Sequence, residues 1–228
     1  MFVRKPVIAA ALTGALVLPA AALADVIELP VPAPAGTPAL TAACPTDCVV
    51  LARVTGYQNK TGTAKGTMVA TKSGRIVAWS VTLAKPNAAQ LKYFTEESNL
   101  GAPEANITVL SAPKKLRSEV LQQGPAVKLD KYLGKTVQFP LTRTISVKKG
   151  SIIALTTKTW APVMAVKQAN TTSWRASRGK GQCDDETGKD FSQITKGKTV
   201  QYRCLYRGVQ LLYGVTIVSN PPPDNTKN

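Results

Sequence analysis

The sequence predicts an all-β fold: a two-sheet antiparallel β-sandwich, with a jelly-roll preferred over an immunoglobulin-like arrangement. Three observations predict it. Apolar and polar residues alternate with period two in short runs, and Gly, Pro and Asn separate those runs. The runs number about eight, at spacings that suit a sandwich. No long stretch keeps a helical period. The jelly-roll is preferred because the chain exceeds a minimal immunoglobulin domain and carries no Cys…Trp…Cys spacing of a bridged core.

The elements justify this in order. Residues 49–54 form an apolar, β-branched run. In residues 75–83, Val77, Trp79, Val81 and Leu83 share one face, and Ala78, Ser80 and Thr82 take the other. Trp79, in mid-strand among valines, is expected in the core. Ile107 and Val109 continue a short strand. In residues 137–147, Phe139, Leu141, Ile145 and Val147 alternate with Thr142, Thr144 and Ser146. Lys148-Lys149-Gly150 then breaks the run and residues 151–157 resume it, which predicts a hairpin. Residues 201–206 and 209–218 supply the last strands. One segment, 87–97, is ambiguous: Asn87 is a helix N-cap candidate, while Leu91, Tyr93 and Thr95 alternate.

Outside the sandwich, residues 1–24 carry the three parts of a secretory signal peptide. Arg4 and Lys5 precede an apolar run, and Ala22-Leu23-Ala24 offers a cleavage site. The apolar run is short of the ~20 residues a membrane span needs. Residues 25–43 are rich in Pro and Ala and read as an extended linker. Residues 44–219 hold the domain, and residues 220–228 read as a disordered tail. Export makes the four cysteines two disulfides, Cys44 with Cys48 and Cys183 with Cys204, since each pair is close in sequence.

Three stretches also carry a resemblance. Gly74-Arg75-Ile76-Val77-Ala78-Trp79-Ser80-Val81-Thr82-Leu83, Val147-Lys148-Lys149-Gly150-Ser151-Ile152-Ile153-Ala154-Leu155 and Thr172-Ser173-Trp174-Arg175-Ala176-Ser177-Arg178 resemble a group of uncharacterised secreted actinobacterial β-sandwich proteins. The resemblance spans residues 44–219. It implies export and a sandwich, and supplies no activity and no site residues.

Composition narrows function by exclusion. The chain has no histidine, so Ser-His-Asp and Cys-His catalysis and His-ligated metal centres are ruled out. Oxidised cysteines leave no thiolate nucleophile. No phosphate-binding Gly-rich motif is present. A carboxylate-dependent glycan hydrolase needs only two acids; Glu96, Glu97, Glu104, Glu119 and Asp130 are the candidates. Asp184, Asp185, Glu186 and Asp190 form an oxygen-rich group that makes calcium a candidate ion, although the spacing is not that of an EF-hand. No other cofactor is expected.

The formal charge is +16, or +14 once Arg4 and Lys5 leave with the signal. Such a surface attracts polyanions. Export argues against nucleic acid as the partner. Residues 172–207 interleave basic and aromatic side chains, the pairing that stacks on rings and holds anionic groups. Trp174, Arg175, Arg178, Tyr202 and Tyr206 are the expected ligand contacts, with Trp174 the best candidate for an exposed aromatic. The expected role is non-catalytic binding of an envelope glycan or other anionic polymer. The alternatives are a structural or protein-interaction component of a surface assembly, and the glycan hydrolase.

Overall fold

In a computed structural model, residues 23–30, 38–46, 48–184 and 189–221 are described. Residues 1–22 of the expected signal peptide, residues 31–37 of the expected linker, the expected tail beyond Pro221, and Asp185 and Glu186 of the candidate calcium group lie outside them.

The protein is an all-β sandwich of antiparallel sheets. Its strands are β1 (Val26–Leu29), β2 (Leu51–Thr61), β3 (Ala64–Lys65), β4 (Gly74–Thr82) and β5 (Glu104–Leu110). They continue with β6 (Arg117–Gln123), β7 (Val127–Lys128), β8 (Thr136–Val147), β9 (Ile152–Ala161) and β10 (Met164–Ala165). The last are β11 (Ser173–Ala176), β12 (Thr199–Gln201), β13 (Cys204–Arg207), β14 (Gln210–Leu211) and β15 (Tyr213–Ser219). Between β4 and β5 lies one helix, α1 (Ala88–Lys92), which continues into a π-helical turn, Tyr93–Glu97. The ambiguity at residues 87–97 is thus settled by the cap: Asn87 accepts from the Gln90 amide, and the Gln90 side chain accepts from the Asn87 amide.

The smaller sheet has the order β1-β15-β4-β8 and the larger β12-β6-β5-β9-β2-β11-β13, with β3 on β2 and β7 on β5. β10 and β14 pair separately. The larger sheet curls. β12 and β13 stand at opposite ends of its order, yet only Tyr202 and Arg203 separate them in the chain. Three residue steps reach about 11 Å at most, so the two ends of the sheet must meet.

This curl creates two interiors. Outside it, Ile107, Val109, Ile153, Leu155 and Ala176 pack against Ile76, Trp79, Val81, Val215 and Ile217 of the smaller sheet. Inside it lie Tyr57, Leu110, Val120, Ile152, Ala154 and Tyr202. Alternation puts Thr55, Thr108 and Thr156 on the same inward face, and all three are fully buried. Their hydroxyls satisfy one another: Thr156 is 2.7 Å from both Thr55 and Thr108. Gln123 donates to Thr108, and the Gln193 amide donates to Thr55.

Four expectations change. The first four residues described after Ala24 and Asp25 are not linker: Val26–Leu29 is β1, an edge strand paired with Val215 to Val218, and Leu29 is buried. Apolar residues at 26, 27 and 29 outweigh the prolines that follow. Lys148-Lys149-Gly150 is not a hairpin, because β8 pairs with β4 while β9 pairs with β2 and β5, so the turn carries the chain between sheets. Gly150 supplies the left-handed φ of 85° that the corner uses. Val77 leaves the core face, because β4 bulges there against both β8 and β15; Ile76 takes its place at 0% exposure. Residues 209–218 divide at Leu212 into β14 and β15 in different sheets.

Candidate ligand cleft

Where β2 begins, a cleft of about 1010 Å³ opens between the start of β2, the π-turn, and the ends of β11 and β13. Trp174 and Tyr206 form one aromatic wall. They sit opposite each other in the β11–β13 register and stack at 4.5 Å with planes 22° apart. Gly56 on β2 makes this possible: a Cβ there would lie 3.0 Å from the Trp174 ring. Tyr93 is half-exposed on the far side.

Both disulfides border the cleft, and their pairings are those expected: Cys44–Cys48 and Cys183–Cys204, with Cα separations of 4.4 and 5.2 Å. The first ties the segment ahead of β2, which is further fixed by the Gln90 amide group donating to Pro45 O at 2.6 Å. The second ties the long β11–β12 connection to β13.

The cations of the cleft are held in different ways. Arg178 donates to Cys183 O at 3.0 Å and to the Tyr206 hydroxyl, and its guanidinium lies 5.4 Å from the Phe191 ring centroid. Burial pushes the Tyr206 hydroxyl above its ordinary pKa, with the Arg178 charge opposing that shift. Arg53 sits at a β-bulge with a left-handed φ of 47°, a strained value for a side chain with a Cβ. Its guanidinium donates to Asn99 O at 2.6 Å. Lys189 and Arg207 are exposed at the rim. Against these four cations, Asp184 is the one acidic side chain among the described residues that line the cleft.

The expected contact set is therefore divided. Trp174, Arg178 and Tyr206 come together here. Trp174 is not the exposed aromatic, since only 6% of it is accessible and the rest is core. Tyr202 cannot stack on any ligand: it is 0% exposed, inside the curl, 5.4 Å from Tyr57. Arg175 lies on the same side as Tyr202, opposite Trp174, and donates to Tyr202 O and Arg203 O at 3.2 Å. Alternation along β11 imposes this split, because adjacent residues face opposite sides.

Sequence reasoning passed over Arg53 and Tyr93. Arg53 was detectable as the lone charge in the apolar run 49–54, where a charge must either be paired or reach water. Tyr93 gave no such signal. No group of three or more metal-ligating side chains occurs among the described residues. Asp190 is instead engaged by the amide and hydroxyl of Ser192.

No protein-family model, curated protein or solved structure matches this chain. Its class rests on its own geometry: a disulfide-braced, all-β sandwich with a basic, aromatic-walled cleft beside its curled sheet. No helix among the described residues is long and apolar enough to cross a membrane. The two disulfides are compatible with an oxidising compartment.

Proposed function

We propose that this is an exported, non-catalytic binding protein whose cleft takes an acidic envelope glycan or a similar anionic polymer. One observation carries the reading: Arg178, Lys189 and Arg207 line one large cleft together with the rings of Tyr93 and Tyr206. Fixed guanidinium donors suit carboxylate or phosphate groups, and the aromatic rings of Tyr93 and Tyr206 suit stacking on the faces of sugar rings. The signal-like N-terminus and the lack of histidine support export and binding without catalysis.

The test is binding of the disulfide-bonded chain to a purified teichoic-type polymer and to a neutral glycan, each at 20 mM and 300 mM NaCl. The anionic polymer should bind more tightly, and its affinity should fall steeply as salt screens the cations. Reversing the two rim charges, Lys189→Glu with Arg207→Glu, should weaken it at least tenfold. Equal affinity for both polymers, or indifference to the double reversal, would remove the cleft as the binding site.

A further inference from the structure

A second cavity lies at the opposite end of β2. It has a volume of about 440 Å³ and opens at the mouth of the curled sheet. Its walls are apolar: Tyr57, Met68, Val69, Pro113 and Ile152. Tyr57 and Ile152 also belong to the interior of the curl, so the cavity continues that core outward. Mouths of curled and closed sheets are common ligand sites, and this volume falls within the usual ligand range.

The lip of the cavity is basic. Lys60 and Lys65 both line it, and they are direct cross-strand partners in the β2–β3 register. Like charges directly opposite one another destabilise a hairpin. No carboxylate among the described residues lines this cavity, and residues 59–70 contain no acid to offset the pair. An anion seated between the two ammonium groups would relieve the repulsion. The same anion would need an apolar body to fill the space over Met68 and Ile152.

We infer that this mouth binds a single-chain amphiphile with a carboxylate head, a fatty-acid type of ligand: Lys60 and Lys65 hold the head, and the chain enters toward Tyr57 and Ile152. Seven residue steps separate Arg53 from Lys60, about 23 Å along an extended strand, so the inference does not depend on the cleft.

Calorimetric titration of the disulfide-bonded chain with octanoate, decanoate and dodecanoate tests it, with acetate and 1-octanol as controls. Affinity should rise about fourfold for each added methylene, the equivalent of ~0.8 kcal/mol per buried CH₂. Octanoate should bind at least tenfold more tightly than 1-octanol, and acetate should not bind measurably. Lys60→Gln with Lys65→Gln should remove the preference for octanoate over 1-octanol. Val69→Phe should block both ligands while Lys189→Glu leaves them unchanged, and the Met68 methyl resonance should shift on titration. Thermal unfolding confirms that each variant is folded. Failure of dodecanoate to bind, equal binding of octanoate and 1-octanol, or a Met68 resonance that does not move would each overturn the inference.

Discussion

Two buried tyrosine hydroxyls have opposite circumstances. That of Tyr202 is buried and meets no hydrogen-bond partner among the described residues. Tyr213 donates to Ile153 O at 2.9 Å and accepts from the Gln58 amide. An unsatisfied buried hydroxyl carries a desolvation cost, whereas a satisfied one is stabilising. Tyr202→Phe should therefore be neutral or stabilise by up to about 1 kcal/mol, and Tyr213→Phe should cost about 1–2 kcal/mol; urea midpoints measure both. Burial also holds both phenols protonated well above their ordinary range, Tyr202 further helped by neighbouring Tyr57. The folded chain then keeps protons that the unfolded chain releases. Stability is complete below pH 10, the unfolded tyrosine value, and declines above it, by about 1.4 kcal/mol per pH unit for each such tyrosine. Unfolding midpoints from pH 8 to pH 11 should fall in the wild type and fall less in Tyr202→Phe. Period-two alternation along one strand through residues 201–206 would put Tyr202, Cys204 and Tyr206 on one side. Residues 202 and 203 are instead the seam where the curl closes, so Tyr202 turns into one interior while Cys204 joins the other.

Among the elements, β1 has the sharpest consequence. As linker, residues 25–30 would be dispensable. As a strand they bury Leu29 and pair four residues with β15. A chain beginning at residue 31 should lose at least about 2 kcal/mol from the Leu29 side chain alone, measured against a chain beginning at Asp25. The disulfides divide similarly. Cys183–Cys204 spans 21 positions and contributes about 3 kcal/mol in the chain-entropy model, while Cys44–Cys48 spans 4 and contributes about 2. Replacing Cys183 and Cys204 by Ser should lower the urea midpoint more than replacing Cys44 and Cys48. The disulfide pairs and the Asn87 cap were legible in the sequence because each is a local signal. The turn at Lys149-Gly150 was not, since a sheet-to-sheet corner and a hairpin place the same demand on Gly150.

The whole molecule carries a large positive charge, and among its described residues one ion pair forms, Lys72 with Asp25, both partners exposed. Lys and Arg outnumber Asp and Glu 29 to 13, so like charges repel one another across its surface. Added NaCl should raise the unfolding temperature of the free protein while it weakens polymer binding at the cleft. Melting curves at 20 mM and 500 mM NaCl check the first half; an unfolding temperature that falls with salt would show that attractive surface pairs dominate.

At this scale the division between sequence and tertiary structure is clear. Period-two patterning determined strands and a sandwich, the missing histidines removed whole classes of chemistry, and cysteine proximity determined the bridges. All of these depend on neighbours in the chain. Tertiary structure alone decided that the larger sheet curls, that residues 152–157 are buried on both faces, and that Arg175 and Trp174 look into different spaces. Alternation reports that a side chain leaves water, but with two interiors in one domain it does not say which one the side chain enters. That choice depends on contacts between residues far apart in sequence.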